Sequence, residues 1–466
     1  MSEPLSRLVC AGCGASPPAA EPYPFRCANA CAHDDVDHVL RRELDTGRVL
    51  FSASDEEPNP FIRFRQLLHS YHVAIAGGLD DGDFCALVRA LDDRVASLDG
   101  HGFLATPFAR NDALSRELGF STDGGVWVKD ETINVSGSHK ARHLFGVLLF
   151  LDVMEHLGRT ARDHRRPLAI ASCGNAALAA AVVAAAGRRK LHVFVPCDAS
   201  GDVLDRLHGL GALVELCPRV EGIEGDPTVH WLLEALDEGA LPFTCQGNLN
   251  GLAVEGGHTL AWELAASHVR LDRLVVQVGG GALASACAHG LAEAVSLGAL
   301  DRLPVLDTVQ TEGVWPLRRA FDLVVARGGS SALPYAAAHR SEFMWPWESE
   351  PHSLAHGIID DETYDWLAVV EAMLSTGGRP AVVDEETISR ANTIAVETTG
   401  VDVDATGSAG LAGLLALRAT GAVPDDERVA LLFTGISRPA PTTKEGESDE
   451  ELSRTRHLVA EGIRTS

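Results

Sequence analysis

The sequence predicts an α/β protein built on mostly parallel sheets. Three observations carry that expectation. From about Phe103 onward, short runs of branched apolar residues alternate with stretches of helical periodicity. Hydrophobic residues make up 46% of the chain and charged residues 22%, a balance that excludes wholesale disorder. A length of 466 residues leaves room for more than one domain and a large buried core.

The elements follow in chain order. Asp83 to Leu98 has helical periodicity after the Gly77-Gly78 turn signal. Val126 to Lys129 is a short apolar strand, and Leu144 to Leu157 an apolar-periodic helix. Pro167 to Ala171 reads as a strand that feeds the Ala-rich helix Ala176 to Ala186. Leu191 to Pro196 and Leu213 to Leu216 are strands, each followed by a helix, Val203 to Leu210 and Thr228 to Leu236. Leu274 to Val278 is a strand, then a glycine run, then the helix Ala282 to Val295. Val305 to Val309 and Val429 to Phe433 are further strands. No internal repeat is visible.

Charge and apolar run length narrow the partners. The formal net charge is −26, so the mean field repels phosphate; nucleic acid and anionic membranes are poor partners. The longest apolar stretch, Ala176 to Ala186, has 11 residues, well short of the roughly 20 that span a bilayer. The first residues, MSEPLSRL, show no signal-peptide pattern. Ten cysteines are too dilute for a disulfide scaffold, so the expectation is a cytoplasmic protein with reduced thiols. Lysine is scarce: only Lys129, Lys140, Lys190 and Lys444 offer a primary amine.

The N-terminus and the C-terminus stand apart. Cys10 and Cys13 form a CxxCG turn, and Cys27 and Cys31 a second close pair with His33 two residues on. Two such pairs suit one tetrahedral structural zinc, with either Cys31 or His33 as the fourth ligand. The stretch after Pro439 is polar and Glu-rich and reads as a solvated tail.

Four segments carry chemistry. In Ser136-Gly-Ser-His-Lys140, a turn places Lys140 at the start of the long apolar helix, where the helix dipole disfavours a protonated amine and favours a nucleophilic one. Ser172-Cys173-Gly174-Asn175-Ala176 is a turn between strand and helix whose N–H groups suit a carboxylate. Gly279-Gly280-Gly281-Ala282 follows a strand and opens a helix, a phosphate cradle that is neither a GxGxxG fingerprint nor a Walker loop. Thr434 puts a hydroxyl at a strand end.

In kind and order these segments resemble the fold-type II pyridoxal-phosphate enzymes: threonine synthase, serine/threonine dehydratase, the cysteine synthases and tryptophan synthase β. The likeness runs from about Asn59 to Ser437. It implies a tryptophan synthase β-like fold of two three-layer αβα domains with a small zinc-ribbon-like extension. The implied domains are 1–48 (extension), 49–164 with 256–438 (large, cofactor-binding), 165–255 (small, mobile) and 439–466 (acidic tail). It also implies roles. Lys140 holds pyridoxal 5′-phosphate as an internal Schiff base and then shuttles protons. Asn175 meets the cofactor's 3-hydroxyl. Gly279, Gly280, Gly281 and Ala282 hold its phosphate, and Thr434 meets its ring nitrogen. Ser172, Gly174, Asn175 and Ala176 bind the substrate carboxylate.

Departures from the pattern are informative. His139 replaces the usual Phe before the lysine, and Cys173 stands where relatives carry an acid/base serine. Arg142 is a candidate for a second substrate anion. The Trp- and Pro-rich stretch 341–356 reads as an insertion over the site. The implied activity is β- or γ-elimination or replacement on a small L-amino acid, by a homodimeric lyase. The alternatives are a β-replacement synthase of a sulfur or nitrogen amino acid, and a pseudo-enzyme that keeps the cofactor fold.

Overall fold

The computed structural model describes residues 4–18, 21–31, 34–52, 56–218 and 226–438. His33, Lys444 and the acidic tail lie outside the described residues.

Twelve strands make three sheets among the described residues. β1 (Ser6–Cys10) and β2 (Leu40–Leu44) form an antiparallel pair. The large sheet runs β11-β10-β9-β12-β4-β3. Its members are β3 (Phe108–Arg110), β4 (Gly125–Asp130), β9 (Arg273–Gln277), β10 (Val305–Thr311), β11 (Pro380–Val383) and β12 (Arg428–Phe433). Only the β3–β4 pairing at one edge is antiparallel. The third sheet, β7-β6-β5-β8, is wholly parallel. It holds β5 (Leu168–Ala171), β6 (Leu191–Pro196), β7 (Leu213–Cys217) and β8 (Leu241–Pro242). β9 and β12 are buried on both faces, which is why they read as continuous apolar runs rather than alternating ones.

Two buried helices pack against each other in the core. Lys140–His156 has Ala141 to Glu155 all buried, and every residue of Ala253–Ala266 is buried. An apolar helix without a polar face belongs in such a place. They touch backbone to backbone: a Cβ at Gly256 would lie 2.0 Å from the Arg142 carbonyl oxygen, and one at Gly146 2.9 Å from Gly256 Cα. That contact fixes the helix whose first residue is Lys140. The helix begins four residues earlier than periodicity suggested, because buried Arg142 and His143 read as polar turn residues.

The β1–β2 hairpin is tied to the large-sheet layer. Arg42 on β2 reaches Glu255 and Glu293, and Trp366 Nε1 donates to Asp37 at 3.2 Å. No helix among the described residues is long and apolar enough to cross a membrane.

Candidate active site

The lysine turn is built from a cap and two left-handed residues. Asn134 Oδ1 accepts the Val135 N–H, and Ser136 (φ 57°) and Gly137 (φ 68°) reverse the chain. A left-handed serine is costly and persists where surroundings over-determine it. Here Ser136 N–H donates to Asp99 at 2.7 Å and Ser136 O accepts from Arg438 at 2.9 Å. Ser136 Oγ and Ser138 Oγ are buried with no hydrogen-bond partner.

The structure separates the lysines. Lys129 is fully buried, and its Nζ donates to Glu263 and to the Thr106 carbonyl. Lys140 is half-buried and its Nζ makes no hydrogen bond or ion pair with the described residues. Lys190 is exposed. Of the lysines without a partner, Lys140 is the half-buried one, at the helix start.

Beneath it lies a closed ionic network. Arg142 donates to Glu131 at 2.7 and 2.9 Å, to Glu263 at 2.6 Å and to Thr259 at 3.0 Å. Arg142 is thus spent on structure and is no candidate for a substrate anion. His139 Nδ1 faces the Thr434 carbonyl at 3.2 Å and His143 Nδ1 the Ala253 carbonyl at 2.8 Å, so each ring carries its hydrogen there. Burial, with Lys140 nearby, lowers both: His139 well below its ordinary value and His143 to about 3. Both are neutral at physiological pH.

The other three segments converge on this turn. Ser138 bridges to Gly435, and His139 N–H donates to the Thr434 carbonyl at 3.2 Å. Asn175 opens the helix Asn175–Ala186, and its Oδ1 accepts from Arg438 at 2.9 Å. Ser172 Oγ accepts the Gly174 N–H at 3.3 Å, and Ala176 is the second residue of the helix. Cys173 is exposed on the same turn; desolvation, with the Asp198 carboxylate, raises its thiol, so it carries its proton at neutral pH. Thr434 Oγ1 sits 2.8 Å from Gln277 Nε2.

The glycine loop is covered from above. Gly281 (φ 94°) starts the helix Ala282–Ser296. Thr363 Oγ1 donates to the Gly279 carbonyl at 2.9 Å, and Asp365 N–H to the Gly280 carbonyl at 3.0 Å. The Asp360 carboxylate lies against Gly279 and Gly280; burial raises it, and Lys140 acts in the opposite sense. Burial also lifts Asp365 to about 7, against the Gly247 N–H it accepts. The segment that reaches the loop is thus 358–365. In the stretch 341–356, Trp345 and Trp347 stack on Arg319 instead.

These features match a known family. A model of pyridoxal-phosphate dependent enzymes fits residues 101–435. The chain belongs to that family. Threonine synthase of Methanocaldococcus jannaschii is 25% identical over 354 residues, 74% of this chain and 78% of that one. Threonine synthase of Methanosarcina acetivorans is 26% identical over 343 residues, covering 72% and 76%. Among solved structures, maize serine racemase overlays with TM-score 0.57 at 16% identity, covering 81% of this chain and 98% of that one. Threonine deaminase isoform 2 from Solanum lycopersicum gives 0.56 at 15% identity, covering 82% and 94%. The fold is that of the fold-type II enzymes.

The residues fit pyridoxal phosphate. Two buried serine hydroxyls without partners flank the turn that leads into Lys140, and a glycine turn opens the helix at Ala282. The Asp360 carboxylate lies against this cradle at Gly279 and Gly280, a position that suits an anion. A cavity of about 310 Å³ lined by Arg42, Glu255, His258 and His289 lies elsewhere, between the hairpin and the core helices; Lys140 is not in its walls.

The structure also gathers a cysteine cluster. Ligand atoms of Cys10, Cys13, Cys27 and His38 lie within 4.8 Å of one another. Cys31 is apart from this group, its thiol facing Asp34 at 3.6 Å. Asp34 also holds His38 Nε2 at 3.0 Å, leaving Nδ1 turned toward Cys10 Sγ at 3.3 Å. Sequence spacing missed His38 because the hairpin, not a local motif, brings it in. Asp360, Gln277 and Arg438 were missed for the same kind of reason.

Proposed function

We propose that this pyridoxal-phosphate dependent lyase of amino-acid metabolism removes or replaces a β- or γ-substituent on a small L-amino acid through Lys140. The observation that carries the reading is the half-buried Lys140 amine, without a partner among the described residues, in a turn whose backbone pairs with Thr434 and Gly435. The bound cofactor supplies an electron sink for carbanion chemistry at the substrate α-carbon. The protein supplies the rest. Lys140 Nζ would hold the cofactor and take up the substrate α-proton. The N–H groups of the Ser172–Ala176 turn bind the substrate carboxylate, with the exposed Arg438 guanidinium at the rim for a second anion. Gly279 to Ala282 would hold the phosphate, and Asn175 would meet the ring hydroxyl. Cys173, protonated at neutral pH, donates on the opposite face. Burial makes the imidazoles of His139 and His143 poor proton acceptors, which leaves the α-proton to Lys140.

The same reading gives the Cys10, Cys13, Cys27 and His38 cluster one structural zinc, which thiolate and imidazole ligands in a closed set of four suit. It also makes the protein a cytoplasmic homodimer. The experiment is an amino-acid panel on purified protein, assayed for 2-oxo acid, ammonia and phosphate. Release of a leaving group with one or a few substrates is expected. Amino-group transfer to a 2-oxo acid without any leaving group, or no turnover with any member, overturns the reading.

A further inference from the structure

Gln277 ends β9, and Thr434 directly follows the neighbouring strand β12. The Gln277 side chain is 5% exposed and Thr434 2%. The amide nitrogen of Gln277 faces four oxygens: Gly407 O at 2.8 Å, Thr434 Oγ1 at 2.8 Å, and the Thr406 and Leu432 carbonyls at 3.2 Å each. Its oxygen, Oε1, has no partner. A flipped amide would press an oxygen against three carbonyls, so the nitrogen end is assigned by the surroundings. A side chain at position 410 would crowd this arrangement, since a Cβ on Gly410 would lie 3.0 Å from Oε1.

An amide nitrogen has two hydrogens. The two nearest acceptors are Gly407 O and Thr434 Oγ1. Thr434 therefore accepts from Gln277, and its own hydroxyl hydrogen has no acceptor among the described residues. From this we infer that Gln277 is a positioning residue that fixes the Thr434 hydroxyl as a hydrogen-bond donor to the cofactor ring. A ring nitrogen met by a committed donor is held as an acceptor, without a proton. The inference rests on the proposed placement of Thr434 opposite that nitrogen.

The test compares two ligands on the same protein: pyridoxal phosphate and its analogue with carbon in place of the ring nitrogen. Apo-protein is titrated with each, following fluorescence quenching and cofactor absorbance. The preference ratio cancels any loss of folded protein, which protects the result if Gln277→Leu is unstable; Gln277→Met serves as a second variant. Wild type should prefer the nitrogen-bearing ligand. Thr434→Val should abolish that preference, and both Gln277 variants should reduce it about threefold to tenfold, the worth of one oriented hydrogen bond. An unchanged preference in Thr434→Val defeats the placement of Thr434. A lost preference in Thr434→Val with a wild-type ratio in both Gln277 variants defeats the Gln277 inference alone.

Discussion

Replacing Arg142 with methionine removes the cation that two buried carboxylates share. Arg142 and Lys129 face Glu131 and Glu263, four charges that cancel where every side chain is 4% exposed or less. Arg142→Met keeps much of the packing volume and leaves one net negative charge. Breaking a buried ion pair by removing one partner costs about 3–5 kcal/mol. The lower end applies here, because Lys129 stays beside Glu263, and Asn134 and Thr106 still donate to Glu131. Spread over the unfolding entropy of a 466-residue chain, a loss of about 3 kcal/mol corresponds to a fall of about 3 °C in Tm, measured by scanning calorimetry. The pH dependence follows from the carboxyls. Burial alone pushes Glu131 up, but Arg142 overrides it and holds the group at about 2. In wild type that contribution is complete above the unfolded-state value and is lost only as pH falls through about 2. In the variant burial wins, the carboxyl rises above its unfolded value, and the penalty shrinks as pH is lowered from 8 toward 5. A fall in Tm under about 2 °C, or one of equal size at both pH values, refutes the reasoning.

Three further outcomes are expected. Metal analysis of protein purified without chelator should give about one zinc per chain; His38→Ala should lose it while Cys31→Ser keeps it, and the reverse pattern would restore Cys31 as the ligand. Asp360→Asn removes a carboxylate charge that lies against the Gly279–Gly280 turn, so apo-protein should bind pyridoxal phosphate about threefold to tenfold tighter. Wild-type affinity should also rise as pH falls and Asp360 gains its proton, a slope absent in the variant; equal affinities at every pH would contradict the assignment. Cys173→Ser should retain much of the turnover and Cys173→Ala should lose more, whereas equal activity of wild type and Cys173→Ala would remove the thiol from the reaction.

What was legible in the chain is what local chemistry forces. A lysine at a helix start, glycines at a strand-to-helix turn and a short polar turn before an Ala-rich helix each need fixed residue types at fixed spacing. The strands β9 and β12 were legible because burial on both faces makes them continuous apolar runs. The C-terminal helices hid for physical reasons. Glu385–Thr399 buries only Ile388, Ala391 and Ala395, too sparse a stripe to signal a helix. Ala405–Ala419 carries Gly407, Gly410 and Gly413, poor helix formers kept for close packing; a Cβ on Gly413 would lie 2.1 Å from Val309. His38, Gln277 and Asp360 act through space on residues far away in the chain, and no spacing rule reaches them.

The account stands or falls on which amine holds the cofactor. Borohydride reduction of the purified protein, followed by peptide mapping, reads this directly. A single pyridoxyl group on Lys140 is predicted, with none on Lys140→Ala and an undiminished signal on a Lys129→Met variant that still folds. A pyridoxyl group on Lys129 or Lys190, or a Lys140→Ala protein that still shows the bound-cofactor absorbance, would contradict it.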